Sequence, residues 1–169
     1  MSLENYDIRH LLKNVKIQDV MSSPCEMINM EEPMSAVEEL FVSRRIRHLP
    51  IIDSAGKLVG LITKRDLFRT VAPRKAIDGN VGYTKDKILE KDGMYYFKDT
   101  LDSYVLSKVM IKDVKTLKAD HVIADAIDLM VQDKVGCVPI VDNERKVVGI
   151  ITRYDILKMA DQIVKHDSI

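Results

Sequence analysis

Residues 60–67 read Gly-Leu-Ile-Thr-Lys-Arg-Asp-Leu, and residues 149–156 read Gly-Ile-Ile-Thr-Arg-Tyr-Asp-Ile. The second stretch follows the first at an offset of 89 residues, and the runs 48–53 and 137–142 that precede them keep the same offset. A constant offset means that no insertion or deletion separates the two copies over this span. The chain therefore contains an internal repeat, and its fold has to be derived from that repeat.

Both copies predict the same order of elements, β-α-β-β-α. Strands are predicted where apolar residues alternate or form short runs between turn residues, and helices where apolar residues recur at helical spacing. In the first copy the predicted strands are 25–30, 48–53 and 58–63, and the predicted helices are about 31–45 and 63–71. In the second copy the predicted strands are 114–117, 136–141 and 146–152, and the predicted helices are 122–134 and 153–165. An α+β fold is expected.

The repeats divide the chain into segments. These are an N-terminal helical segment 1–16, repeats at 17–71 and 106–162, a non-repeated connector 72–105 and a C-terminal tail 163–169. Because a repeat of about 50 residues buries little apolar surface alone, the two repeats are expected to pack against each other.

The connector 72–105 is unusually rich in aromatic residues, with Tyr83, Tyr95, Tyr96, Phe97 and Tyr104. A structureless loop of this length is uncommon in a compact protein, so the connector is predicted to have structure of its own. A short strand is predicted at 94–97 and a helix around 101–109. The connector is either packed against the repeats or places its tyrosines on a ligand or partner.

The composition excludes several classes of protein. Lys and Arg together number 26, as do Asp and Glu, so no net charge attracts nucleic acid or an anionic membrane. No apolar run is long enough to cross a bilayer, and no secretory signal opens the sequence. Cys25 and Cys137 occupy unmatched positions in the repeats and predict neither a disulfide framework nor a zinc site. We expect a cytoplasmic protein.

The Gly-apolar-apolar-Thr-x-x-Asp pattern at each strand-to-helix junction has a structural interpretation. Thr63 is placed as the N-cap of the closing helix, and Asp66 at the third helical position completes a capping box. Thr152 and Asp155 allow the same interpretation.

The same pattern also has a functional interpretation. Unpaired N–H groups at a helix N terminus attract phosphate, a Thr hydroxyl donates to a phosphate oxygen, and an Asp carboxylate accepts both hydroxyls of a ribose. Gly60 and Gly149 permit close backbone approach, and Lys64, Arg65 and Arg153 carry charge that balances phosphate. Thr and Asp together predict a nucleotide site.

These motifs, duplicated and in register, resemble a tandem pair of cystathionine β-synthase (CBS) domains, often called a Bateman module. The resemblance covers residues 17–71 and 106–162. It is carried by Val-Met at 20–21 and 109–110, apolar-Pro-apolar-apolar-Asp at 49–53 and 138–142, and Gly-apolar-apolar-Thr-x-x-Asp at 60–66 and 149–155.

The resemblance implies two repeats packed sheet to sheet around a pseudo-twofold axis, with two clefts. Each cleft is then able to hold an adenosine nucleotide, namely AMP, ADP, ATP or an S-adenosyl compound such as S-adenosylmethionine. Carried over position by position, ribose hydroxyls fall to Asp66 and Asp155, and phosphate to Thr63, Thr152, Lys64 and Arg153. The residues bordering adenine are Ser22, Pro24, His48, Lys112 and Cys137.

For some residues near these motifs a structural role competes with the functional one. The basic run 44–48 either attracts phosphate or carries favourable charge at a helix C terminus. Cys137 is predicted to be a small buried side chain rather than a nucleophile. The four histidines show no metal-ligand spacing, and neither a paired catalytic base nor a glycine-rich phosphate loop is evident. The sequence therefore gives no support for an enzyme.

The leading hypothesis is a non-catalytic regulatory module that binds an adenosine nucleotide and signals to an unidentified regulated protein by a conformational change. The resemblance implies a homodimer, and the apolar helix positions Val37, Leu40, Phe41, Ile123 and Met130 are either its interface or core. Two alternatives stay open. One is a scaffold with vestigial clefts that binds a partner through residues 72–105, and the other is an enzyme such as a nucleotide hydrolase.

Overall fold

The structure is a computed structural model and describes residues 12–71, 88–89, 95–96 and 98–166. The predicted N-terminal helical segment lies largely outside these residues, and its described end is helical at 12–14. The first repeat contains β1 (Ile28–Asn29), α1 (Met34–Ser43), β2 (His48–Ile52), β3 (Leu58–Thr63) and α2 (Lys64–Val71).

The connector has structure of its own, as predicted. It contains β4 (Ile88–Leu89) paired antiparallel with β5 (Tyr95–Tyr96), followed by a 3₁₀ helix, Lys98–Ser103. A short helix, α3 (Leu106–Val109), leads into the second repeat, whose further elements are α4 (Ile123–Gln132), β6 (Cys137–Val141), β7 (Val147–Thr152) and α5 (Arg153–His166).

The two sheets differ in the length of one strand. In the first repeat β1 runs parallel to β2, with Ile28 opposite Ile51, and β3 is the next strand of the sheet. In the second repeat β6 and β7 pair antiparallel, and the strand predicted at 114–117 is reduced to one bridge between Leu117 and Ile140. Those two residues match Ile28 and Ile51 at the repeat offset, so the same contact survives in a shorter form.

Helix α1 is shorter than the predicted span because a connector residue caps its start and a left-handed residue follows its end. Pro33 is its N-cap and offers no side-chain cap. Asp102 of the connector takes that role, since it accepts hydrogen bonds from the Ser35 N–H at 2.8 Å and the Ser35 hydroxyl at 3.0 Å. At the other end Arg45 has a φ of 53°, a left-handed conformation that ends the helix.

The described residues divide into two compact units, which we call unit I and unit II. Unit I contains 26–54, 59–71 and the described part of 88–112. Unit II contains 12–25, 55–58 and 113–166. The units therefore do not coincide with the sequence repeats. The start of the first repeat, residues 17–25, belongs to unit II, and the start of the second repeat, residues 106–112, belongs to unit I. We call these two stretches the leading segments.

Paired backbone hydrogen bonds hold each leading segment against the unit to which it belongs. In unit I, Ile111 and Leu61 exchange N–H···O bonds of 2.8 and 2.9 Å. In unit II, Ser22 and Ile150 do the same at 2.9 and 3.1 Å. Each segment that leads into one repeat is thus bonded to the second hairpin strand of the other.

Glycine in that second strand makes room for the leading segment. A Cβ on Gly60 would lie 2.5 Å from Met110 Sδ, and a Cβ on Gly149 would lie 2.7 Å from Met21 Sδ. Both glycines thus permit a close approach of the Val-Met segment in the same unit. From the sequence, this close approach had instead been assigned to a ligand.

Each unit has its own apolar core. The core of unit I is formed by Ile28, Met34, Val37, Phe41, Leu49, Ile51, Ile62, Leu67, Leu101 and Leu106. The core of unit II is formed by Ile17, Ile123, Ala126, Met130, Val138, Ile140 and Ile151. Of the helix positions considered for a dimer interface, Val37, Phe41, Ile123 and Met130 are core residues and Leu40 packs against the core of unit I, so this face is not an exposed interface.

Alanine at Gly60 is expected to destabilise the fold by about 1–3 kcal/mol, because the added Cβ overlaps Met110 and approaches the Ile111 carbonyl. Urea unfolding measures the change. A Gly60→Ala/Met110→Ala double variant should lose less stability than the two single variants summed, because the sulfur is gone. Additive losses would contradict the contact.

Removal of the Asp102 carboxylate is expected to lower the free energy of unfolding by about 1 kcal/mol, the usual cost of losing a helix cap. Thermal or urea unfolding of Asp102→Ala tests this. The matched control is Asp113→Ala, which removes an exposed carboxylate at a position that caps no helix. Equal losses in both variants would show that Asp102 does not cap α1.

Candidate functional site

The β3–α2 junction in unit I is a complete capping box. The Thr63 hydroxyl donates to Asp66 Oδ2 at 2.6 Å, and the Thr63 N–H donates to the same oxygen at 3.0 Å. In return the Asp66 N–H donates to Thr63 Oγ1 at 3.2 Å. The structural interpretation of Thr63 and Asp66 is confirmed.

The β7–α5 junction in unit II repeats this arrangement. The Thr152 hydroxyl and N–H donate to Asp155 Oδ2 at 2.6 and 2.7 Å, and the Asp155 N–H lies 3.4 Å from Thr152 Oγ1. The O–H···O⁻ distance of 2.6 Å between Thr152 Oγ1 and Asp155 Oδ2 is typical of a charge-assisted hydrogen bond. Each carboxylate is therefore held in one orientation by its threonine.

The capping box changes the chemistry available to the threonines. A hydroxyl has one proton to donate, and in both junctions it is donated to the aspartate. The donation of that proton to a phosphate oxygen, predicted for Thr63 and Thr152, would require breaking the capping bond. In the observed state each threonine instead orients the carboxylate.

The other candidates in unit I lie around the same junction. Lys64 is the first residue of α2, and its N–H donates to the Arg47 carbonyl at 3.0 Å, which brings β2 and its first residue His48 next to the junction. Lys112 is exposed and follows Ile111, which is bonded to Leu61 of β3.

In unit II the segment after Met21 lies beside the β7–α5 junction. Ser22 donates its hydroxyl to Asp155 Oδ1 at 3.2 Å, so a residue of the first repeat reaches the junction of the second. Pro24 is exposed two residues further on. The contact of Ser22 with a carboxylate was not predicted, because sequence proximity places Ser22 with the first repeat.

Arg153 is also engaged differently from its prediction. Its Nε and Nη2 donate to the Val135 carbonyl at 3.2 and 3.0 Å, and its N–H donates to the Gly136 carbonyl at 3.1 Å. In this state the guanidinium caps a backbone carbonyl after α4 rather than standing free for phosphate.

Both repeats match the sequence profile of the CBS domain, over residues 17–73 and 106–161. The chain belongs to the CBS-domain family. The fold is that of a CBS-domain pair, with mixed helix and strand content, as the resemblance implied.

Relatives of this CBS pair include both enzymes and proteins of similar size. An inosine-5'-monophosphate dehydrogenase of Methanocaldococcus jannaschii is 34% identical over 145 residues, covering 85% of this chain and 22% of the relative. A homoserine O-acetyltransferase of Methanohalobium evestigatum is 24% identical over 158 residues, covering 94% of this chain and 27% of the relative. The uncharacterized protein MJ1426 of Methanocaldococcus jannaschii is 28% identical over 151 residues, covering 84% of this chain and 89% of the relative. This chain thus spans only a minor part of the two enzymes.

Solved CBS pairs have the same fold. The CBS domain pair of protein MJ0100, in complex with 5'-methylthioadenosine and S-adenosyl-L-methionine, has a TM-score of 0.65 at 24% identity, covering 88% of this chain and 97% of that chain. CBSX2 in complex with AMP has a TM-score of 0.65 at 22% identity, covering 89% of this chain and 98% of that chain. At these identities the similarity establishes the fold.

Neither a metal cluster nor a membrane-spanning helix is present in the described part of this CBS pair. Within residues 12–71, 88–89, 95–96 and 98–166, no group of three or more His, Cys, Asp or Glu side chains is placed to hold a metal ion. No helix among those residues combines the length and apolar character needed to cross a bilayer. Of the connector tyrosines considered for partner binding, Tyr83 lies outside the described residues, Tyr95 and Tyr96 form β5, and Tyr104 packs against the core of unit I.

Cys137 is a buried thiol at the start of β6, as predicted, with 4% of its surface exposed. Burial raises the pKa of the Cys137 thiol to about 12 because the thiolate would lose its hydration. At neutral pH the side chain is therefore protonated and unsuited to nucleophilic attack. It can border a ligand only as an apolar surface.

The Cys137 thiol is expected to resist alkylation in the folded protein. Because the raised pKa keeps the group neutral until the pH nears about 12, the thiolate fraction at a pH of about 8.5 is roughly one in three thousand. Iodoacetamide labelling of Cys25→Ser, followed by mass spectrometry, isolates Cys137. The same variant in urea is the control and should label fully, whereas equal rates in both conditions would contradict the buried, neutral thiol.

Proposed function

We propose that this CBS pair is a non-catalytic regulatory module that binds adenosine compounds at its two Thr-Asp junctions and signals by a conformational change. The observation that carries the proposal is the repetition of one hydrogen-bonded pair. Thr63 Oγ1 and Thr152 Oγ1 each lie 2.6 Å from the Oδ2 of the aspartate three residues later. In both units the pair fixes a carboxylate at the start of a helix, where its other oxygen can accept hydrogen bonds from a ligand.

In the proposed complex the aspartates bind the sugar. Each carboxylate accepts hydrogen bonds only, and the two adjacent hydroxyls of a ribose are donors that it can satisfy. The threonine fixes the carboxylate through Oδ2, which leaves Oδ1 outside the capping box. Phosphate, where the ligand has it, would be held by the N–H groups at the start of α2 or α5 and by the basic residues beside them.

The ligand class follows from the ribose contact and from the solved relatives. AMP, ADP, ATP and S-adenosylmethionine share an adenosine whose ribose diol fits the aspartate. The bound AMP of CBSX2 and the bound 5'-methylthioadenosine and S-adenosyl-L-methionine of protein MJ0100 support this class. Ser22, Pro24, His48, Lys112 and Cys137 are proposed to border the adenine.

The biological setting is part of the same proposal. Neither Cys25 nor Cys137 forms a disulfide, in keeping with a reducing cytoplasm. The regulated protein stays unidentified. A homodimer would have to use a surface other than the buried positions of α1 and α4, and exposed apolar side chains are present on α5 at Tyr154, Leu157 and Val164.

Titration calorimetry with AMP, ATP and S-adenosylmethionine tests the function. At least one should bind, and Asp66→Asn or Asp155→Asn should raise the Kd at the altered junction by about tenfold or more, because a charge-assisted hydrogen bond is lost. Asparagine is preferred to alanine since its carbonyl oxygen can still accept the capping bonds. Asp128→Asn, an exposed carboxylate on α4, is the matched control. Absence of heat with all three ligands would contradict the proposal.

A further inference from the structure

The two junctions share a backbone arrangement but differ at the oxygen that a ribose would use. In unit II, Asp155 Oδ1 already accepts the Ser22 hydroxyl at 3.2 Å, and Asp155 is 8% exposed. In unit I the position that matches Ser22 is Ile111, which has no hydroxyl. Among the described residues no donor reaches Asp66 Oδ1, and Asp66 is more exposed than Asp155. Asp66 Oδ1 therefore has both of its lone pairs available, whereas Asp155 Oδ1 shares one with Ser22 and has one left.

The basic side chains beside the junctions also differ in whether they are already hydrogen-bonded. Arg153 in unit II uses two of its donors on the Val135 carbonyl. The side chain of Lys64, at the matching position in unit I, forms no hydrogen bond or ion pair within the described residues. The residue whose carbonyl accepts the Lys64 N–H is the exposed Arg47, whereas its counterpart in unit II is Gly136. Among the described residues, Lys64 and Arg47 of unit I are thus uncommitted, whereas Arg153 of unit II is committed to the Val135 carbonyl.

We propose that the two junctions are chemically distinct sites, an inference that rests on the proposed function. The Thr63-Asp66 junction is the site for phosphorylated adenosine, with Lys64 and Arg47 as phosphate contacts. The Thr152-Asp155 junction is latched by Ser22, whose hydroxyl competes with a ribose hydroxyl for Asp155 Oδ1. This second site binds adenosine compounds more weakly and with little preference for a phosphate.

The physical reason is competition. A ribose hydroxyl entering unit II has to share Asp155 Oδ1 with the Ser22 hydroxyl or displace it, so the net gain is smaller than in unit I, where Asp66 Oδ1 has no donor among the described residues. A phosphate in unit I meets charge-assisted donors that need no other bond broken, and Arg153 in unit II would first have to leave Val135. Both differences favour the same junction.

Single-site variants separate the two junctions. Asp155→Asn leaves the unit I site intact, and Asp66→Asn leaves the unit II site intact. Each is titrated calorimetrically with AMP and with 5'-methylthioadenosine, which lacks a phosphate. The isolated unit I site should prefer AMP by about tenfold or more, a preference that Lys64→Gln or Arg47→Gln should reduce, while the isolated unit II site should show no comparable preference.

Exchange of the latch residue tests the Ser22 contact directly. In the Asp66→Asn background, Ser22→Ile should tighten ligand binding about tenfold, because the competing donor is removed. In the Asp155→Asn background, Ile111→Ser should weaken it by a similar factor. Ser23→Ala is the matched control, since the neighbouring Ser23 hydroxyl donates to the Val148 carbonyl at 2.8 Å and not to Asp155. Thermal melts of every variant verify that it is folded.

The outcomes separate the two proposals. If the wild-type protein binds neither AMP nor 5'-methylthioadenosine, the proposed function fails and the inference fails with it. If both isolated junctions bind AMP equally and the Ser22 and Ile111 exchanges change neither Kd, the function stands and the asymmetry is wrong. A stronger AMP preference in unit II than in unit I would also overturn the assignment.

Discussion

Two reciprocal backbone contacts, Ile111 with Leu61 and Ser22 with Ile150, organise the rest of the molecule. They attach the leading segment of each repeat to the hairpin of the other, and they bring Leu106 and Ile17 into the cores around those hairpins. Glycine in the second hairpin strand is a condition for both contacts, because any Cβ there would meet a methionine sulfur. The cores, the units and the surroundings of both junctions depend on this exchange.

The exchange also accounts for what was predictable from sequence. Strand β3 and helix α2 were predicted to the residue or close to it, since local periodicity and capping chemistry determine them. The partner of each leading segment was not predictable, because both hairpins present a Gly-apolar-Ile edge and local sequence offers no preference between them. The capping of α1 by Asp102 is also a tertiary contact, 67 residues from its partner Ser35. Contacts between residues far apart in the sequence cannot be predicted from local sequence patterns when two similar surfaces are available.

The candidate site was likewise only partly predictable from the sequence. Thr63, Asp66, Thr152 and Asp155 were identified from spacing alone, and their mutual hydrogen bonds followed from helix-capping geometry. What each carboxylate and cation does with its remaining bonding capacity depends on neighbours that the fold brings in. Identical motifs can therefore have unequal surroundings, since Ser22 reaches Asp155 while Ile111 stands at the matching position in unit I.

The leading segments have a consequence for how such a chain is inherited. Neither repeat contains all the residues that complete the core around its own hairpin, so a single copy cut out at its sequence boundaries would lack a buried side chain and an edge partner. Both cores are complete only in a piece of the chain that includes both hairpins and both leading segments. A recombination point within the connector would separate each hairpin from the segment that covers it.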